Sequence, residues 1–237
     1  APGGRRSSAS CAEGSVSWLN YAFRLVQLPI GLFGVALLIA VMPVLARQAA
    51  DKDLASLKQT CISSLVMVFA LAIPATAGLM LLSQPIIRLI FEHGAFTATD
   101  TLQTAAALSW YAIGLFAYSA IKVMVPVFYA LGNTRFPVIG SFLGVAANVG
   151  TVTLVIDQLQ HRGIALATSC AMILNFLFLG TVLCRKLSDL PLGYLLAGVG
   201  KIVAATGAMA GALWGLQHVL ADWLSGSITL QIVALAV

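Results

Sequence analysis

Charge is what this chain has least of. Only 9% of its 237 residues are Asp, Glu, Lys or Arg, against roughly 25% in soluble domains, so no fold of it can present an ordinary water-facing surface. Acids are the scarcer sign, eight against thirteen bases, and the three histidines, His93, His161 and His218, lie far apart. That removes the paired carboxylates and one-turn His spacings that acid–base or metal enzymes use, and no nucleophile elbow or phosphate-cradling loop occurs. Four cysteines with no paired spacing exclude a disulfide framework; Cys61, Cys170 and Cys184 fall in or at the ends of apolar runs and read as free thiols.

Long apolar runs are what the chain does have. Hydrophobic residues make up 60% of it and the mean hydropathy is +0.98, which is the composition of an integral membrane protein. Each crossing of the bilayer needs about 20 apolar residues. On that count the sequence divides into seven candidate spans, approximately 17–46, 59–90, 101–131, 135–156, 163–184, 192–218 and 226 to the end. The expected class is all-α, a polytopic transmembrane helix bundle. Residues 1–14 read as a polar tail or loop, an artificial start rather than a signal peptide, because Arg5 and Arg6 are followed by no short apolar region and cleavage site. The final span, stopping at Val237, is too short to cross and reads as truncated.

The loops set an orientation. One side collects Arg47, Lys52, Lys58, Arg135, Arg185 and Lys186, while the other holds Arg88 and Arg162 outside the tail; the richer side is cytoplasmic by the positive-inside rule. The net charge of +5 is therefore a matter of topology and of anionic headgroups. No basic and aromatic module for nucleic acid is present.

Two charges interrupt the apolar runs. Arg24 lies about two turns inside the first span and precedes a charge-free stretch from Leu25 to Ala46. A mid-membrane charge costs roughly 2.5 to 3.5 kcal/mol on insertion scales and usually faces a polar cavity or a partner. Asn20, Arg24, Gln27, Gly31 and Gly34 share the three-and-four spacing of one helix face, a polar, small stripe on an otherwise apolar cylinder. Lys122 in the third span has Tyr118 and Pro126 one turn away on either side; snorkelling to the cytoplasmic interface and service in a cavity explain it equally well. Pro126 removes a backbone donor and is expected to kink or loosen that span, as Pro29, Pro43 and Pro74 do the first two.

Small residues mark close helix contacts. Gly207, Gly211 and Gly215 form one stripe, Gly140 and Gly144 another. The second continues to Asn148, so that amide is expected to point into the protein; Thr168 and Asn175 share a face of the fifth span. Such oxygens suit a hard cation, although inside membranes they more often hydrogen-bond helix to helix. In the segment from Glu92 to Asp100, Thr97 or Thr99 is expected to cap the third helix.

Several runs together resemble a known family. Tyr21-Ala22-Phe23-Arg24-Leu25-Val26-Gln27-Leu28-Pro29-Ile30-Gly31-Leu32-Phe33-Gly34 resembles the eighth membrane helix of the MurJ (MviN) lipid II flippases. Leu89-Ile90-Phe91 with Gly94-Ala95-Phe96 and Asp100-Thr101 resembles that family's next outer loop, and Lys122-Val123, Phe128-Tyr129-Ala130, Asn133-Thr134-Arg135 and Pro137 resemble its tenth helix and turn. Gly163-Ile164-Ala165-Leu166-Ala167-Thr168-Ser169 is similar to the start of the twelfth. The resemblance runs from about Ser15 to the end.

It implies the C-terminal half, helices eight to fourteen, of a two-lobe flippase of the multidrug, oligosaccharidyl-lipid and polysaccharide exporter superfamily. Residues 15–188 would be the five-span transport lobe and 189–237 a two-helix groove for the lipid tail. The partners implied are lipid II (undecaprenyl-pyrophosphate muropeptide), membrane lipids and an N-terminal half; the location implied is the bacterial inner membrane. Arg24 would pair with the pyrophosphate, assisted by Gln27 and Lys122. Phe23 stands where many members have an acid. For a sodium site of the family, Asn148, Ile164 and Thr168 match contributors, but Val152 replaces an expected aspartate, so sodium coupling is expected to be weak or vestigial. Competing readings are another exporter of the superfamily, a polyprenyl enzyme, which would need paired aspartates at the membrane edge, and a non-transporting assembly subunit.

Overall fold

Apolar runs separated by turn residues give helices, and the computed structural model is helical throughout its described residues, 14–159, 161–187 and 190–226. The first span is α1 (Ser15–Pro29), a π-helical segment (Ile30–Val35) and α2 (Ala36–Ala50) in one continuous path. Pro29 cannot donate the hydrogen bond that would close the preceding turn, and Gly31 and Gly34 leave the widened backbone without side-chain crowding. The expected 17–46 helix is therefore present with a six-residue π insertion at its centre, a feature frequent at functional sites.

The second apolar run does not remain one helix. The expected span 59–90 is two elements, α3 (Leu54–Leu81) and α4 (Ser83–Phe91), divided at Leu82. Asp53 starts α3 by accepting a hydrogen bond from the Ser56 amide at 3.0 Å, and hydrogen bonds from the Ser56 hydroxyl and then this amide hold its carboxyl below the usual carboxylate range. Pro74 is carried inside α3 without a break.

The third run bends at a different place from the one expected. It is α5 (Ala98–Ile113) and α6 (Leu115–Ala130), meeting at 41°, and the break is at Gly114 while Pro126 sits buried within an unbroken α6. The reason is interhelical. A Cβ at Gly114 would lie 2.8 Å from the Ser169 backbone, so only glycine admits this approach, and the Ser169 hydroxyl donates at 2.6 Å to the Trp110 carbonyl that the bend releases. Thr97 caps α5 in a capping box with Asp100, in keeping with the sequence reading.

The remaining elements are α7 (Arg135–Leu159), α8 (His161–Lys186) and α9 (Leu192–Gly226). Among the described residues five helices are long and apolar enough to cross a bilayer, and the bent α5–α6 pair makes a sixth. The seventh expected span lies outside the described residues beyond Gly226. Lys186 Nζ donates to Asn133 Oδ1 at 2.5 Å and Arg162 reaches Gln103 at 3.0 Å, so the two ends of α8, assigned to opposite sides, are each tied to a neighbouring element.

Two apolar cores stack along the membrane axis. The outer one joins α1, α4, α5 and the start of α8 through Leu25, Ile87, Leu108 and Ala165. The inner one joins α2, α3, α6 and the end of α8 through Leu45, Leu65, Phe128 and Leu179. The π segment and the Gly114 bend fall between them.

The two glycine stripes part company. A Cβ at Gly140 would collide with the Asn175 side chain and Gly144 faces the Ala171 carbonyl, so the α7–α8 seam is close-packed as expected. Gly207, Gly211 and Gly215 have no described neighbour within 4 Å of a Cβ position, and the seventh expected span lies outside the described residues. On α9 the close approach is instead at Gly198, whose Cβ would stand 3.1 Å from Val66 of α3.

Candidate functional site

The outer end of α1 is fixed by polar and aromatic ties. Trp18 Nε1 donates to Asp100 Oδ1 at 2.8 Å, and the other carboxylate oxygen of Asp100 accepts from the Thr97 amide at 2.8 Å. One acid thereby caps α5 and holds α1 against it. Tyr21 packs on Phe91 and Phe96, with centroids 4.8 and 5.6 Å away. Thr101 donates to Glu92 at 2.6 Å, and Glu92 pairs with Arg88 at 3.6 Å.

Arg24 lies six residues below Trp18, roughly 9 Å along the helix. Ala22, Leu25 and Val26 are buried while Phe23, Arg24, Gln27 and Leu28 are exposed, so the outer core fixes the rotation of α1 and presents Arg24 away from the bundle. Asn20, Arg24, Gln27 and Gly31 are all exposed, and Gly34 is covered. Asn20 donates to the Val16 carbonyl at 2.9 Å. Arg24 and Gln27 have no hydrogen-bond or ion-pair partner among the described residues.

Lys122 is not beside Arg24. Its stem packs over the π segment, with Cγ 3.6 Å from the Cβ position of Gly34, and its ammonium lies 5.1 Å from the centre of the Tyr118 ring. Gly34 is ten residues beyond Arg24, roughly 15 Å along the helix. Lys122 lines a cavity of about 720 Å³ whose walls come from α2, α6, α7 and α8, among them Met42, Tyr118, Tyr129, Met172 and Asn175. Arg24 and Gln27 do not line it.

The three positions matched to a sodium site do meet. Asn148 Nδ2 donates to Thr168 Oγ1 at 3.4 Å and Thr168 donates to the Ile164 carbonyl at 2.9 Å. Thr168 Oγ1 and the Ile164 carbonyl are engaged in a hydrogen-bonded bridge that Asn148 enters through its nitrogen, and Val152 contributes no oxygen. A hard cation needs several oxygens, with at least one carboxylate in most sites; the residues present here do not fit one. Among the described residues no cluster of His, Cys, Asp and Glu could hold a metal.

Thr168 and Asn175, on one face in sequence, serve different places. Thr168 joins the bridge to Asn148, and Asn175 is 9% exposed against Gly140, at the wall of the Lys122 cavity. Sequence reasoning gave no sign of Ser169 or Gly114 as partners, nor of the Trp18–Asp100 tie, because each pairs residues dozens of positions apart with no motif between them.

Comparison with known proteins accords with this arrangement. A family model described as lipid II flippase MurJ matches residues 6–234. The chain is 36% identical over 220 residues to a probable lipid II flippase MurJ of Rhizobium meliloti (strain 1021), covering 92% of this chain and 40% of that protein. It is 35% identical over 166 residues to the Rickettsia prowazekii (strain Madrid E) protein of the same description, covering 70% and 33%. With the Vibrio cholerae serotype O1 protein it shares 32% over 220 residues, 91% and 41% of the two chains. The chain thus spans about two fifths of the length of curated relatives it matches. A membrane bundle whose eighth-helix-like run carries an unpartnered arginine, matched nearly end to end, belongs to the MurJ lipid II flippase family.

Proposed function

We propose that this chain is the C-terminal transport half of an inner-membrane flippase that moves undecaprenyl-pyrophosphate muropeptide from the cytoplasmic to the periplasmic leaflet by alternating access. It is a transporter's half and carries no catalytic machinery in this reading. The observation that supports it most is Arg24, a guanidinium exposed on a polar helix face, without a partner among the described residues, about two turns inside an apolar span. A charge left so in hydrocarbon costs several kcal/mol, and an anionic ligand offsets that cost through charge-assisted hydrogen bonds to its planar fork.

The polar stripe gives Arg24 company of the right kind. Gln27, one turn on and also exposed, offers an amide donor to the same headgroup, while Gly31 leaves room for a bulky sugar beside the helix. The polyprenyl tail stays in lipid or in a groove that α9 helps to form. Rocking of two lobes about the headgroup would carry it across, and the stacking of two cores with a π segment and a glycine bend between them gives this lobe a place to flex. Membrane potential supplies about 2.3 kcal/mol per charge moved through 100 mV. No sodium-dependent step is derived, because the Asn148–Thr168 bridge does not fit the ion.

Complementation tests the reading. In the intact protein carrying this chain, Arg24→Ala should abolish rescue of a flippase-depleted bacterium while the protein accumulates in the membrane, and Arg24→Lys should rescue in part. Full rescue by Arg24→Ala would make this lobe an assembly or structural element.

A further inference from the structure

The α5–α6 bend is held by a hydrogen bond that has an alternative. In a regular α-helix the Gly114 amide would donate to the Trp110 carbonyl, four residues back; here it donates to the Tyr111 carbonyl at 3.1 Å, and the regular ladder resumes with the Tyr118 amide on the Gly114 carbonyl at 2.9 Å. The Trp110 carbonyl is left to the Ser169 hydroxyl, which donates to it at 2.6 Å with the Tyr111 carbonyl a second acceptor at 3.3 Å. Ser169 differs in this from comparable residues. Thr168, Ser141, Ser64 and Thr76 each return their hydroxyl to the carbonyl four residues back in their own helix, and for Ser169 that acceptor is the Ala165 carbonyl.

Two arrangements therefore conserve the hydrogen bonds. In the bent one the Ser169 hydroxyl serves Trp110; in a straight one the Gly114 amide serves Trp110 and the hydroxyl falls back on Ala165. An exchange that leaves no buried group unpaired costs little, which is the condition for two comparably populated states. The surroundings permit it. Gly114 presents no Cβ to the Ser169 backbone, and on another side of α6 Ser119 Cα stands 3.9 Å and Lys122 Cγ 3.6 Å from the Cβ position of Gly34 in the π segment. The two irregular stretches thus touch at the level between the two apolar cores. A gap of about 20 Å³ there, whose walls include Val26, Ile30, Leu115 and Met172, leaves room for a shift. Lys122 is eight residues beyond Gly114, roughly 12 Å, so about 10° of straightening carries it roughly 2 Å.

We propose that Ser169 is a positioning residue for transport: its hydroxyl on the Trp110 carbonyl holds α6 bent, and its return to Ala165 straightens the third span and tilts the inner core, with Lys122, against the outer core, with Arg24. The inference rests on the transport reading and gives the motion of this lobe a named hydrogen bond.

Spin labels carried by a non-natural amino acid at Leu102 and Thr134, both exposed, read the bend in the intact protein in nanodiscs, because straightening lengthens the distance between them. The unaltered protein should show two separations. Ser169→Ala should raise the longer over the shorter about five-fold, the equivalent of one net hydrogen bond, and Gly114→Ala, whose Cβ bars the close approach, should leave the longer one only. Flipping of a fluorescent lipid-linked muropeptide in proteoliposomes should slow several-fold in both variants with KM unchanged. An unaltered thermal midpoint of Ser169→Ala excludes misfolding, and this variant decides the matter where Gly114→Ala does not fold. A distance distribution that Ser169→Ala does not move overturns the switch, and a moved distribution with unaltered flipping overturns its role in transport. If the distribution moves as stated while the unaltered protein flips nothing, the transport reading fails and the switch stands.

Discussion

At the outer end of the lobe the polar side chains have found one another, whereas along the exposed face of α1 and around the inner cavity they have not. Trp18 meets Asp100, Thr101 meets Glu92 and Arg162 meets Gln103; Arg24, Gln27 and Asn175 have no hydrogen bond or ion pair among the described residues, and Lys122 has only a tyrosine ring. Satisfied pairs in a low-dielectric medium hold helices together. Unsatisfied groups there add nothing to the fold and cost desolvation, so they are the ones for which a ligand must be sought. The same few polar residue types thus build a brace in one region and a binding surface in the other.

Substitutions can pull these regions apart. The largest effect is expected on function alone. Arg24→Ala should remove complementation and leave the thermal midpoint of the purified protein within about 1 °C of the unaltered one, because surface changes away from packed features stay within ±0.5 kcal/mol; a large loss of stability would make Arg24 part of the brace. Next comes the α7–α8 seam. Gly140→Ala should destabilise by about 1 to 3 kcal/mol through overpacking against Asn175, whereas Gly211→Ala, with no described neighbour to strike, should stabilise α9 by up to about 0.5 to 1 kcal/mol through helix propensity. Denaturant titration in detergent reads both, and equal losses would mean that both stripes are interfaces.

Trp18→Phe keeps the ring and deletes the donor to Asp100, for an expected loss of about 1 kcal/mol with transport retained. The smallest effect should be at Asp53. Its folded pKa is lowered by the Ser56 hydrogen bonds, so its contribution to stability is present above the ordinary pKa of 3.8 and is lost as pH falls below that through the folded value. Asp53→Asn should flatten the acid limb of the midpoint-against-pH curve below pH 4 or so and, above pH 5 or so, lower the curve slightly without changing its shape; an unaltered acid limb would remove this cap from the account.

Much of the fold was legible because hydropathy and turn residues are local. The spans, their order, the Thr97 cap and the inward turn of Asn148 followed from runs, spacing and capping chemistry. The breaks did not. Residues 59–90 read as one apolar run because Ser83, Gln84 and Pro85, which mark the break after Leu82, are too few to interrupt its hydropathy, and Pro126 drew attention to the third span when the bend belonged to Gly114. A proline advertises itself in sequence; a glycine bends a helix only if something such as Ser169 pushes into it. The odd charges were visible too, Arg24 and Lys122 both standing in apolar runs, but their separation was not, since helix α6 lies alongside the π segment only in three dimensions.

Sequence by itself determined that this chain is a multi-spanning helical membrane protein, which of its loops carry the charge, and that an arginine must be accommodated on the polar face of the first span. Those conclusions depend on period and composition, which each segment carries alone. Tertiary structure decided which glycines are contacts, where the helices break, and that Lys122 pairs its cavity with Asn175 rather than with Arg24. Such facts arise from distances between residues far apart in the chain, set by which apolar faces pack together, and packing has no local signature.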